Sequence, residues 1–93
     1  MELKHREITE QVIGAYYDVY NDLGYGFLER VYQNALYFEL LERGLQVEAQ
    51  KSIKVYRNGR LIGNYYADLL INGAVIVELK AVATLTEAHE KQL

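Results

Sequence analysis

The sequence predicts an α+β domain, an α/β arrangement in which a three-stranded sheet is flanked by helices. Three observations predict it. Apolar residues recur at spacings of three and four from Glu7 to Arg43, after Gly44 the period changes to two, and Asn58-Gly59 and Asn72-Gly73 cut the second half into strand-length pieces. With 93 residues the chain makes one domain of modest core, because so short a chain buries only about 60% of its unfolded surface.

The first helix runs from Glu7 to Leu23, with Ile8, Val12, Ala15, Tyr16, Val19, Tyr20 and Leu23 along one side, and Gly24 and Gly26 end it. The second spans Phe27 to Arg43. Its predicted core stripe is Leu28, Val31, Ala35, Phe38 and Leu41 or Leu40, and Gly44 takes the C-terminal cap position. Glu29, Tyr32 and Leu36 form a neighbouring line, so Glu29 lies beside the stripe. Leu45, Val47 and Ala49 then alternate with Gln46, Glu48 and Gln50, and Ile53 and Val55 continue to the turn at Asn58-Gly59. Strands are predicted over Leu61 to Ile71 and Ala74 to Ala81, the latter apolar enough to be covered on both faces. Thr84 and Glu87 have the spacing of a capping box, so a last helix is expected from Thr84, carrying Leu85, His89 and Gln92 on one side. The chain stops at Leu93 soon afterwards, which reads as a domain incomplete at its C-terminus.

Composition narrows the function classes. At 51% apolar and 25% charged the chain is globular rather than disordered, and without cysteine it has neither a disulfide framework nor thiolate chemistry. No apolar run approaches a membrane span and no signal peptide is visible, so the expected setting is cytoplasmic, with no membrane partner. The net charge of −3 and the lack of a Lys/Arg cluster count against tight non-specific DNA binding, but not against a metal site. Nine tyrosines can close a core with a wet edge, line an interface or stack on bases. Phosphate loops, histidine–cysteine clusters and nucleophile triads are absent.

The chemistry-bearing stretch is Tyr65 to Lys80, where Asp68, Glu78 and Lys80 interrupt otherwise apolar segments. An acid there is costly to desolvate unless paired or metal-bound. Strand alternation puts Glu78 and Lys80 on one face. Asp68 joins them only if the Asn72-Gly73 turn has the right parity. A two-residue loop pairs Ile71 with Ala74 and separates the acids. A loop of Ile71, Asn72 and Gly73 pairs Leu70 with Ala74, sets Asp68 opposite Ile76 and gathers all three on one face; this is the predicted register. The plainer reading is a cross-strand ion pair on a half-exposed sheet.

Gly26-Phe-Leu-Glu29-Arg-Val-Tyr32 resembles the signature of the GxxExxY protein family, a branch of the PD-(D/E)XK nuclease-like superfamily. The likeness continues through Gly44-Leu45, Tyr66-Ala-Asp68-Leu-Leu, Val77-Glu78-Leu-Lys80-Ala and His89-Glu-Lys-Gln92-Leu, in order, nearly end to end. It implies a restriction-endonuclease-like core: a helix, three mixed strands, a helix and a further strand whose place falls after Leu93. Asp68 matches the first half-motif, with Ala67 where the superfamily's name has proline. Glu78 and Lys80 match the E-x-K half, Glu29 the helix carboxylate that often completes the metal shell, and Gln92 a helix position near the phosphate or the lysine.

The implied activity is metal-dependent hydrolysis of DNA or RNA. Mg²⁺ or Mn²⁺ would be held by Asp68, Glu78, the backbone carbonyl of Leu79, Glu29 and water. Lys80, kept charged beside two carboxylates, would orient the water or stabilise the transition state. Tyr32 and His89 are candidates for substrate contact or for support behind the ligands. Each has a plainer reading: Tyr32 as packing, His89 as an ordinary hydrogen-bonded histidine, and Glu29 as an exposed acid or a partner of Arg30 or Lys51. The second function reading is a non-catalytic binding module for nucleic acid or protein, and the sheet's open edge offers a place for a second copy to form a homodimer.

Overall fold

The computed structural model describes residues 5–91, apart from the side chains of residues 85 and 87–91. Helix α1 (Arg6–Leu23) and helix α2 (Glu29–Glu42) precede strands β1 (Val47–Arg57), β2 (Arg60–Ile71) and β3 (Val75–Val77), and helix α3 (Leu79–Lys91) follows. The α+β class is as the sequence predicts. The sheet has the order β1-β2-β3 and both pairings are antiparallel, where a mixed sheet was expected. Each strand follows its partner through a short turn, which leaves no crossover to create a parallel pair.

The helices form because their apolar residues fall on one side. Val12, Ala15 and Val19 of α1 are buried, and Gly24 at φ 71° ends the helix by donating its N–H to the Tyr20 carbonyl at 2.7 Å. Helix α2 buries Leu36 and Leu40; of the stripe that periodicity favoured, the Leu40 alternative is buried, whereas Leu28 is 80% exposed and Phe38 60%. This helix has two adjacent apolar lines, and the sheet takes the one that begins at Tyr32. Arg43 fastens the two helices, donating to Glu39 (3.0 Å), Gln11 (2.7 Å) and Asp18 (2.7 Å). Val12, Ala15, Leu36, Leu40, Val47, Leu69, Ile71, Val77 and Leu79 make the common core.

The β1–β2 hairpin is long and closes on Asn58 (φ 52°) and Gly59 (φ 77°), the left-handed pair that a two-residue hairpin turn requires. The C-terminal half differs most from expectation. Strand β3 has three residues instead of the predicted run to Ala81, and α3 begins at Leu79 instead of Thr84. Leu79, Lys80 and Ala81 are strong helix formers, and an acceptor from β2, described below, holds the first turn. Thr84 therefore lies inside the helix, its hydroxyl donating to the Lys80 carbonyl at 2.9 Å rather than capping. The Tyr17 hydroxyl ties α1 to α3 by donating to the Thr86 carbonyl at 3.1 Å. No helix among the described residues is long and apolar enough to cross a membrane.

Candidate functional site

The site forms where the β2–β3 hairpin meets the start of α3. Along β2, Ala67, Leu69 and Ile71 are fully buried, so alternation turns Asp68 and Leu70 to the opposite face, where both are half-buried. Leu69 pairs with Val77, and one step further Asp68 stands level with Glu78. The loop has three residues and the two acids share a face, as the predicted parity requires. Its membership is shifted by one: Ile71 pairs with Val75, and the loop is Asn72, Gly73 and Ala74. The cause is Asn72, which locks onto β1 through both backbone and side chain. Its N–H donates to the Gln46 carbonyl at 2.7 Å, and its Oδ1 accepts the Gln46 N–H at 2.8 Å, which keeps buried Ile71 within the strand.

Asp68 does more than face Glu78. Its Oδ2 accepts the Leu79 N–H at 2.8 Å, satisfying one of the unpaired donors at the N-terminus of α3 and placing negative charge at the positive end of the helix. The Glu78 carbonyl accepts the Val82 N–H at 3.0 Å, so Glu78 is the residue at which strand becomes helix. Lys80 is a correction: it lies in the first turn of α3 and does not share strand alternation with Glu78. Leu79 presents its N–H to Asp68, whereas its carbonyl, as a helix carbonyl, points along the axis towards the helix's own donors.

Glu29 opens α2, and its charge reaches the pair. Burial, the charge of Asp68, a hydrogen bond shared with Asp68 and the charge of Glu29, in that order, raise the Glu78 pKa above the ordinary glutamate value. Among the described residues neither Arg30 nor Lys51 forms an ion pair with Glu29; Lys51 instead meets Glu48 at 3.0 Å. Glu29 and Lys80 both line a cavity of about 230 Å³ walled by Tyr16, Phe27 and Tyr32. A cleft of about 490 Å³ lies elsewhere, between α1, Arg43 and Asn72, and shares no lining residue with it. The smaller cavity contains one candidate carboxylate, Glu29, and the lysine, whereas Glu78 lines a separate cavity of about 180 Å³ with Ile76, Val77 and Val82. Among the described residues no three acidic or histidine side chains converge closely enough, as they stand, to hold an ion.

Tyr32 acts here as a brace. Its hydroxyl donates to the Gly24 carbonyl at 2.7 Å and accepts the Phe27 N–H at 3.4 Å, which fixes the loop leading into Glu29. Its ring stacks at 6.4 Å with Tyr20 and meets Phe27 edge-on at 6.2 Å. Tyr16 and Phe27 as cavity walls are additions to the sequence reading; the dense tyrosines of α1 were the available signal. The Tyr16 pKa is raised, first by burial and then by Tyr20 and Tyr32. Gln92 and the side chain of His89 lie outside the described residues.

The raised pKa of Glu78 makes stability depend on pH. A glutamate whose folded-state value exceeds its unfolded value of about 4.3 favours the folded state at acid pH, and that contribution is lost as pH rises through the folded value. Glu78→Gln should therefore stabilise the chain at pH 7, by less than about 1 kcal/mol because the carboxylate is exposed and screened. The gain should vanish below about pH 4. Urea denaturation at the two pH values checks this; an equal gain at both would show that repulsion is not the cause.

Carboxylates, a lysine free of ion pairs among the described residues and an aromatic-lined cavity thus lie around one sheet-to-helix junction of an α+β domain. The sequence model of the PD-(D/E)XK nuclease superfamily matches residues 6–93, and the chain belongs to that superfamily. No curated protein and no solved structure matches the chain significantly.

Proposed function

We propose that the chain carries a metal-dependent nuclease centre that hydrolyses phosphodiester bonds of DNA or RNA by water attack on phosphorus. The observation that supports it is the placing of Asp68 and Glu78 level with each other where β2 and β3 meet the start of α3, with Glu29, Leu79 and Lys80 lining one cavity at that junction.

The donor set fits Mg²⁺ or Mn²⁺, which take carboxylate oxygens and keep several waters. Asp68 and Glu78 would hold the ion, with Glu29 turning inward from the start of α2. When bound, such an ion supplies Lewis acidity towards a phosphoryl oxygen and towards water. Lys80 places positive charge where the phosphate oxygens gain negative charge. The rings of Tyr16, Phe27 and Tyr32 line the cavity that Glu29 and Lys80 share. Gln92 and His89 keep the supporting roles that the resemblance implies, and a cytoplasmic setting suits the cysteine-free sequence.

A second reading, a binding module without catalysis, is favoured by one observation: Asp68 already serves the N-terminus of α3. Titration with Mn²⁺ separates the two. At an ion concentration about a hundredfold above Kd, the nuclease centre should raise unfolding stability by about 2.7 kcal/mol, and Asp68→Asn should abolish the rise. A thermal midpoint indifferent to Mn²⁺ would favour the module.

A further inference from the structure

The charge of the chain is unevenly placed. Residues 49–67 contain Lys51, Lys54, Arg57 and Arg60 and no acid, whereas the remaining residues carry six cations against thirteen acids, a net of −7. The acid-free segment is the long β1–β2 hairpin, whose outer part is exposed from Lys54 to Ile62. Arg57 and Arg60 stand directly opposite each other in the ladder. Like charges so placed are destabilising. Lys51 has Glu48 as partner, but none of the ion pairs among the described residues involves Lys54, Arg57 or Arg60.

Large rings accompany these cations. Tyr56 is 60% exposed and Tyr66 65%. Tyr66 lies on the Asp68 face of β2, two positions away, roughly 7 Å along the strand. Its ladder partner is Ser52, whose hydroxyl donates to the Asn64 side-chain oxygen at 3.2 Å; Asn64 in turn pairs with Lys54. One sheet face therefore leads from the candidate site past Tyr66 to Lys54 and Tyr56, and beyond the register shift at Val55/Tyr56 the opposed Arg57 and Arg60 stand together on the other face of the tip.

We propose that the β1–β2 hairpin is a binding arm for single-stranded nucleic acid, in which Lys54, Arg57 and Arg60 neutralise phosphates and Tyr56 and Tyr66 stack on bases. The inference rests on the reading of the chain as one that acts on nucleic acid, and it names the surface that holds the strand. A polyanion relieves the opposed arginines. A second copy docking hairpin to hairpin would instead bring two acid-free segments together, since a two-fold interface is self-facing. Exposed rings suit unpaired bases, every one of which offers a face for stacking.

The test uses the 93-residue chain in EDTA, with fluorescence anisotropy of a labelled oligothymidylate of about 15 nucleotides and the matching duplex. The single strand should bind more tightly than the duplex. The triple variant Lys54→Gln, Arg57→Gln, Arg60→Gln should flatten the log–log salt dependence by about 2, at about 0.7 for each phosphate no longer neutralised. Tyr66→Ser should weaken binding about five- to a hundredfold, and Tyr66→Phe should restore it. Circular dichroism confirms that each variant is folded, and the two Tyr66 variants decide the matter if the triple variant is not.

Unchanged affinity in Tyr66→Ser together with an unchanged salt slope in a folded triple variant overturns the proposal. So does tighter binding of the duplex, binding of phosphatidylserine vesicles but not of the oligonucleotide, or self-association without oligonucleotide binding. Working in EDTA separates this from catalysis. A strand held tightly but never cleaved with Mn²⁺ removes the nuclease reading and leaves the arm. Cleavage with Mn²⁺, with binding unchanged in the variants, removes the arm and leaves the nuclease.

Discussion

Replacing Asp68 by alanine should cost stability and function together, and the asparagine variant should separate the two. Asp68→Ala removes the acceptor of the Leu79 N–H and leaves the first turn of α3 without its partner from β2. Loss of a comparable helix cap costs about 1 kcal/mol. The same change removes the carboxylate nearest Glu78, so cleavage of an oligonucleotide in Mn²⁺ should fall to background. An asparagine side chain would retain an oxygen that can accept the N–H, but not the charge that a cation requires. Asp68→Asn is therefore expected to keep most of the stability and none of the cleavage. Urea denaturation beside a gel-based cleavage assay reads both. Full cleavage in the asparagine variant would make Asp68 a helix cap only.

Leu36→Ala should have the largest effect on folding. Leu36 is fully buried at the centre of the core that joins α1, α2 and the sheet. Truncating such a leucine costs about 2–5 kcal/mol, in a chain whose whole stability is on the order of 5–14 kcal/mol. Phe38→Ala, two residues along the same helix, removes a larger side chain from an exposed position and should change stability by no more than about 0.5 kcal/mol. Chemical denaturation of both variants tests which apolar line of α2 faces the sheet. A larger loss at Phe38 than at Leu36 would mean that the helix packs the other way round.

Helix α2 shows why part of the fold was illegible in the sequence. Leu28, Val31, Phe38 and Leu41 form one apolar line, and Tyr32, Leu36 and Leu40 form another. Periodicity finds the helix but cannot choose between two such lines, because the choice depends on what the sheet presents. Helix α1 has a single clear face and a glycine stop, and its limits match expectation to one residue. The β3–α3 boundary was ambiguous for a different reason. Val75-Ile-Val-Glu-Leu-Lys-Ala-Val82 suits a buried strand or a buried helix equally, and a hydrogen bond from β2, eleven residues before Leu79, decides it.

The candidate site was more legible than its setting. Asp68 and Glu78 stand out as acids between apolar residues, and the parity of the Asn72-Gly73 loop puts them on one face. What the sequence could not convey is that Asn72 grips Gln46 and so shifts the loop by one residue, or that Lys80 lies in a helix turn rather than in a strand. The acid-free hairpin is written in the sequence as a gap in Asp and Glu from residue 49 to residue 67, masked by a net charge of −3 that averages two unlike parts.

The most direct measurement is cleavage of single- and double-stranded oligonucleotides by the chain in Mg²⁺ or Mn²⁺, beside Asp68→Ala and Lys80→Ala. The nuclease account predicts metal-dependent cleavage that EDTA stops and both substitutions abolish. Equal cleavage by all three proteins, or none by any of them when Mn²⁺ has been shown to bind, would contradict it.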